Sequence, residues 1–91
     1  MTGQYDESIA ICKKAIQVSP NFIAAHRYLA ACYSLLDREA DAQAAAKEVL
    51  RINPKFSIES FAKRLRYKNK ADIERELNAL RKAGLPEKST S

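Results

Sequence analysis

The chain has 91 residues, of which 46% are hydrophobic and 30% charged, and its net charge is +5. This composition is typical of one soluble domain with a modest core, not of a disordered chain. Because the chain has only 2 Gly, 3 Pro and no Trp, helices joined by few turns are favoured over a sheet. No apolar run approaches the roughly 20 residues that cross a bilayer. We therefore expect an all-α cytoplasmic protein without a membrane segment.

The first predicted helix runs from about Asp6 to Val18. Its apolar residues recur at steps of three and four, which places them on one stripe of a helix: Ile9, Cys12, Ala15 and Ile16. Pro20 ends the helix, because the residue before a proline is kept out of the helical region. Gly3 is expected in the turn that precedes it.

Two further helices are predicted in the middle of the chain. The segment from Phe22 to Leu36 is apolar almost all the way round, so it is expected to be covered by neighbours on most sides. After a break at Asp37 and Arg38, the segment from Glu39 to Ile52 is rich in alanine, which favours a helix and permits close packing.

The last third of the chain predicts a short fourth helix and a longer fifth one. Ser57 is expected to cap the fourth helix, and Asn69 to cap the fifth with Asp72 as a variant capping-box partner. A basic connector separates them. Gly84 is expected to stop the fifth helix, with Leu85 supplying the accompanying hydrophobic contact.

A repeat of 34 residues relates residues 19–22, Ser-Pro-Asn-Phe, to residues 53–56, Asn-Pro-Lys-Phe. Helical segments of this period that end in proline are typical of helix-turn-helix repeats. The residues that carry the pattern are Leu29, Tyr33, Ala42 and Pro54, with Ala30 at a glycine position, and with His26 and Ala46 replacing a Trp and a Phe. In these positions the chain resembles a tetratricopeptide repeat.

The resemblance covers about residues 3–56 and implies an antiparallel helix-turn-helix solenoid. We expect one domain over residues 3–85. It comprises a half repeat (3–22), a complete repeat (23–56) and a divergent C-terminal pair of capping helices (57–85), and it is followed by a disordered tail (86–91). For function, the resemblance implies a scaffold that binds a protein or peptide and performs no catalysis.

The segment from Leu65 to Pro86 is similar to the extreme C-terminus of certain bacterial multidomain proteins. In those proteins, tetratricopeptide repeats follow a nucleotide cyclase or another signalling domain. This second resemblance implies that the chain is the C-terminal part of a longer bacterial, signalling protein.

The sequence predicts neither an enzyme nor a metal or cofactor site. His26 and Cys32 are six residues apart, roughly 240° around a helix, so they cannot share one local site. The chain has too few His and Cys residues for a zinc site, and no glycine-rich phosphate loop is present. We expect His26 to be packed or to line a groove, and both cysteines to act as small apolar residues.

The candidate partner-binding residues lie on the second helix, where the resemblance places a peptide groove: Arg27, Tyr28, Ala31 and Ser34. Arg27 and Tyr28 are favoured because arginine and aromatic residues dominate binding hot spots. Chaperone-binding relatives hold a C-terminal carboxylate with Lys, Asn and Arg. Ala31 stands where the amide would be needed, so we do not expect that carboxylate clamp.

Two other surfaces are candidates. The apolar face of the first helix, centred on Ile9 and Ile16, is expected to pair with a second copy of the chain. A basic segment supports the alternative of binding an acidic ligand or nucleic acid: Lys63, Arg64, Arg66, Lys68 and Lys70. Carboxylates follow it at Asp72, Glu74 and Glu76 and reduce the local field, so nucleic acid is the less favoured partner.

Overall fold

The computed structural model describes residues 3–65 and 69–88, with only the backbone at residues 3 and 4. Within these ranges the chain forms five α-helices and no strand, which confirms the predicted all-α fold. The helices are α1 (Gly3–Val18), α2 (Ile23–Leu35), α3 (Glu39–Ile52), α4 (Ile58–Lys63) and α5 (Lys70–Lys82). Gly3, which we expected in a turn, is instead the first residue of α1.

Helix α2 lies at the centre of the fold and packs against α1, α3 and α5, while α5 also packs against α4. Its buried residues point in almost every direction around the helix: Ala25, His26, Leu29, Ala30, Ala31, Cys32, Tyr33 and Ser34. This confirms the prediction that a helix so uniformly apolar is covered on most sides.

Small side chains dominate the core that α2 forms with α3. Ala30 on α2 is 0% exposed, and Ala42 on α3 is 1% exposed. Asp37 makes the turn between the two helices with a φ of 59°, a left-handed conformation that Asp tolerates better than most residues. The Asp37 carboxylate also pairs with Lys82 on α5, so the turn is linked to the last helix.

Helix α4 is only 6 residues long, and its first-turn N–H groups all have partners. The Ser57 hydroxyl accepts from the Ser60 N–H at 3.1 Å, as its predicted capping role requires. The N–H groups of Ile58 and Glu59 donate to the carbonyls of Pro86 and Glu87 at 2.9 and 3.0 Å. An isolated helix this short would be marginal in water, so these bonds and the buried Ile58 fix it in place.

Those bonds correct one expectation. Residues 86 and 87, which we assigned to a disordered tail, are hydrogen-bonded to the start of α4. The Glu87 side chain also pairs with Arg81 on α5. Lys88 is exposed, and residues 89–91 of the expected tail lie outside the described residues.

Helix α5 has a defined cap at each end. The Asn69 side chain accepts from the Ala71 N–H at 2.8 Å, as predicted. Asp72, which we expected to act as its capping-box partner, forms an ion pair with Arg75 at 3.6 Å. At the other end Gly84 has a φ of +103°. The Gly84 and Leu85 N–H groups donate to the carbonyls of Arg81 and Leu80, which is the Schellman arrangement.

Candidate functional site

A groove runs between α2 and the helices on either side of it, α1 and α5. Its larger part has a volume of about 330 Å³. The residues that line it come from all three helices: Tyr5 and Ser8 on α1; Tyr28, Ala31, Cys32 and Leu35 on α2; and Asp72, Arg75 and Glu76 on α5. Tyr28 is 48% exposed and Leu35 is 38% exposed, so an aromatic and an aliphatic side chain are available to a ligand.

A second cavity of about 280 Å³ continues the groove along α5. It shares Leu35 and Arg75 with the first and extends to Lys82. The Ser34 hydroxyl also lines it and has no hydrogen-bond partner among the described residues. Both parts of the groove therefore combine apolar side chains with charged ones from α5. We call both parts together the α2–α5 groove.

Arg27 lies beside the groove and packs inward. Its guanidinium carbon is 4.3 Å from the centroid of the Phe61 ring, so it links α2 to α4 through a cation–π contact. Burial lowers the pKa of Arg27 below its usual value, and the nearby Glu76 carboxylate opposes that shift. The side chain remains a cation, since guanidinium does not lose its proton in proteins, and its contact with the Phe61 ring ties it to α4.

The four predicted partner-binding residues therefore differ in their surroundings. We expected all of them to face an open groove. Tyr28 does so, but Ala31 and Ser34 are only 7% and 2% exposed because neighbouring helices cover those sides of α2. A role for the four residues in partner binding stays a prediction, and Tyr28 is the one that a ligand can reach most easily.

The structure corrects the predicted self-association face. Ile9 is 7% exposed and belongs to the core, and Ile16 is partly buried against it. The stripe that we expected to pair with a second copy is thus already used within the chain, because α1 packs it toward α2. The large apolar residues that α1 leaves exposed are Ile11 and Val18.

The basic segment is described in part. Lys63, at the end of α4, and its neighbour Arg64 are exposed, and so is Lys70 at the start of α5. Arg66 and Lys68 lie outside the described residues. Binding of an acidic ligand or nucleic acid through this segment stays an alternative prediction.

The histidine and the two cysteines are structural. The His26 ring is 6% exposed, and its Nε2 donates to the Pro20 carbonyl at 2.9 Å, which confirms the packed role. Burial raises the pKa of Cys12 and that of Cys32 to about 11, so both thiols stay protonated and weakly nucleophilic at neutral pH. In the described part of the chain, no cluster of three or more His, Cys, Asp or Glu residues could hold a metal ion.

Sequence reasoning missed the contributions of α1 and α5 to the groove. On α5, Asp72, Arg75 and Glu76 are spaced so that they share one face of the helix. That spacing was visible in the sequence, but it does not say which neighbour the face meets. Only the packing of α5 on α2 brings these charged residues beside Tyr28.

Paired helices joined by short turns and packed around a central helix define a helical-repeat protein. A model of the tetratricopeptide repeat family matches residues 1–64. The chain therefore belongs to the tetratricopeptide repeat family, as the sequence resemblance indicated. No curated protein gives a significant match, and neither does any solved structure. No helix among the described residues has the length and apolar character needed to span a membrane.

Proposed function

We propose that the chain is a non-catalytic interaction module that binds a protein or peptide segment in the α2–α5 groove. The observation that carries the proposal is the pairing of exposed Tyr28 and Leu35 with a charged wall from α5. Clefts that bind ligands are commonly lined by apolar and aromatic residues with a few polar groups that set orientation. Family membership supports the same conclusion, since helical-repeat proteins use such extended surfaces for binding.

The arrangement favours an extended or helical peptide with one apolar anchor. Tyr28 can bury a large area at a small cost in side-chain entropy, because its side chain has only two rotatable bonds. The carboxylates of Asp72 and Glu76 and the cation Arg75 line the same part of the groove as Tyr28, and Lys82 lines the second part. These charges determine which peptide residues are accepted on either side of the apolar anchor, and they add specificity more than affinity.

The Tyr28→Ala variant tests this proposal. Peptides are first selected from a random displayed library against the whole chain, and their affinities are then measured by fluorescence anisotropy. We expect Tyr28→Ala to raise the Kd at least tenfold, about 1.4 kcal/mol, because an exposed aromatic at the centre of a groove is a typical hot spot.

Phe22→Ala is the matched control. Phe22 is 49% exposed, almost the same as Tyr28 at 48%, but it lies just before α2 and does not line the groove. We expect its Kd to stay within about twofold of the wild type. Equal losses in both variants, or a loss confined to Phe22→Ala, would contradict the proposed site.

We further propose that this module is the scaffold end of a larger bacterial signalling protein. The support is the resemblance of the segment from Leu65 to Pro86 to the C-terminal tails of such proteins. In that setting the charged outer side of α5 closes the helical stack against water, as terminal repeats of solenoids do.

A further inference from the structure

Helix α1 has an apolar face that the described part of the chain leaves uncovered. Ile11 is 67% exposed and Val18 is 85% exposed. The two residues are seven positions apart, so they lie on the same side of the helix two turns from each other. Ala15 lies between them along the helix, and Ser8 lies about one turn before Ile11. Both are half-buried at the edge of this face.

The 34-residue repeat shows what covers the equivalent face of α3. Ile11 corresponds to Ala45, and Val18 corresponds to Ile52. Ala45 is 6% exposed, and Ile52 is half-buried, since α3 packs alongside α2. The same face is therefore occupied by a helix in one copy of the repeat and open in the other.

The charged residues beside this face complement the same residues on a second copy of the chain. Glu7 and Lys14 are both exposed, and their spacing of seven residues puts them on one edge of the face, on either side of Ile11. If two α1 helices lie antiparallel about a twofold axis near Ile11, Glu7 of each copy faces the partner's Lys14. Such a contact is isologous, so the same pairing occurs twice.

We propose that two copies of this chain associate through the outer face of α1, which consists of Glu7, Ile11, Lys14 and Val18. The two helices are antiparallel, with Ile11 of each copy at the centre and an ion pair on each side. One helix pair buries little surface, so the dimer is weak, with a Kd of about 10–1000 µM. None of these four residues lines the α2–α5 groove, and the test of the interface does not depend on a bound peptide.

Sedimentation equilibrium of the whole chain at low salt, over a range of protein concentrations, measures this association. Glu7→Lys and Lys14→Glu each create a like-charge contact, and we expect either one to raise the dimer Kd at least about fivefold. The double variant, with both substitutions, restores the pairing in the reversed sense and returns the Kd to within about threefold of wild type. Ile11→Asp abolishes the dimer, because it places a carboxylate at the centre of the interface.

Lys13→Glu is the matched control, since it changes the net charge as Lys14→Glu does but lies on another side of α1. It leaves the Kd within about twofold of wild type. The proposal is overturned if the wild-type chain stays monomeric at about 1 mM. It is also overturned if the double variant associates no better than the single ones, or if Lys13→Glu weakens association as much as Lys14→Glu. Circular dichroism verifies that each variant is folded.

Discussion

Replacing Leu80 by alanine is expected to lower the free energy of unfolding by about 2–5 kcal/mol. Leu80 is 0% exposed on the inner side of α5, and its carbonyl accepts the Leu85 N–H in the turn that ends the helix. Removing its side chain leaves a cavity in the core and takes away the hydrophobic contact that accompanies this turn. A domain of this size has a total stability of about 5–15 kcal/mol, so the loss is a large fraction of it.

Urea unfolding followed by far-UV circular dichroism measures this loss, and Leu35→Ala provides the same chemical change at a site that is 38% exposed. We expect the control to cost less than about 1 kcal/mol. If Leu80→Ala left the main transition unchanged and produced only a small early one, α5 would unfold separately and would not be an integral part of the fold.

The second large effect is expected from Ala30→Leu, at the centre of α2. Ala30 is 0% exposed, so the larger side chain has no space unless neighbouring helices move apart. Overpacking of this kind typically costs about 1–3 kcal/mol. In a domain of this length each kcal/mol lowers Tm by roughly 4–8 °C, so thermal unfolding measures the change directly.

Ala44→Leu is the control for that substitution. Ala44 is exposed on α3, and leucine is nearly as good a helix former as alanine, so its Tm is expected to stay within a few degrees of wild type. A similar Tm for both variants would show that small residues are not needed for the close packing of α2.

The helices were predictable because their signals are local. The bounds of α3 agree with the prediction because alanine-rich periodicity follows a clear break at Asp37 and ends before Pro54. The caps at Ser57 and Asn69 also appear as predicted, since each depends on bonds within three residues. The turn at Gly84 depends on the same kind of local chemistry.

Features that depend on distant parts of the chain were not predictable in the same way. The order at residues 86 and 87 comes from hydrogen bonds to α4, nearly 30 residues earlier in the chain. The charged side of the groove comes from α5. From the sequence of this helix alone, its charged face was expected to lie in solvent. On α2, an apolar pattern around the whole helix did not indicate that Ser34 would be covered while Tyr28 stayed open.

The two apolar stripes of α1 illustrate the same limit. The Ile9 and Ile16 stripe packs in the core of the chain itself. Ile11 and Val18 seemed incidental in the sequence. They are exposed, whereas the equivalent residues on α3 are buried or half-buried, and this difference depends on helix packing that the sequence does not show.

The central claim is that the α2–α5 groove is the binding surface of this repeat module. The most direct test is an NMR titration of the isotope-labelled chain with a selected peptide, monitoring each backbone amide. We predict that the largest shifts occur at Tyr28, Leu35 and Arg75, while Lys55 and Glu48 remain unchanged. Shifts concentrated on the outer side of α3, or around Lys63 and Arg64 with none at Tyr28, would contradict the claim.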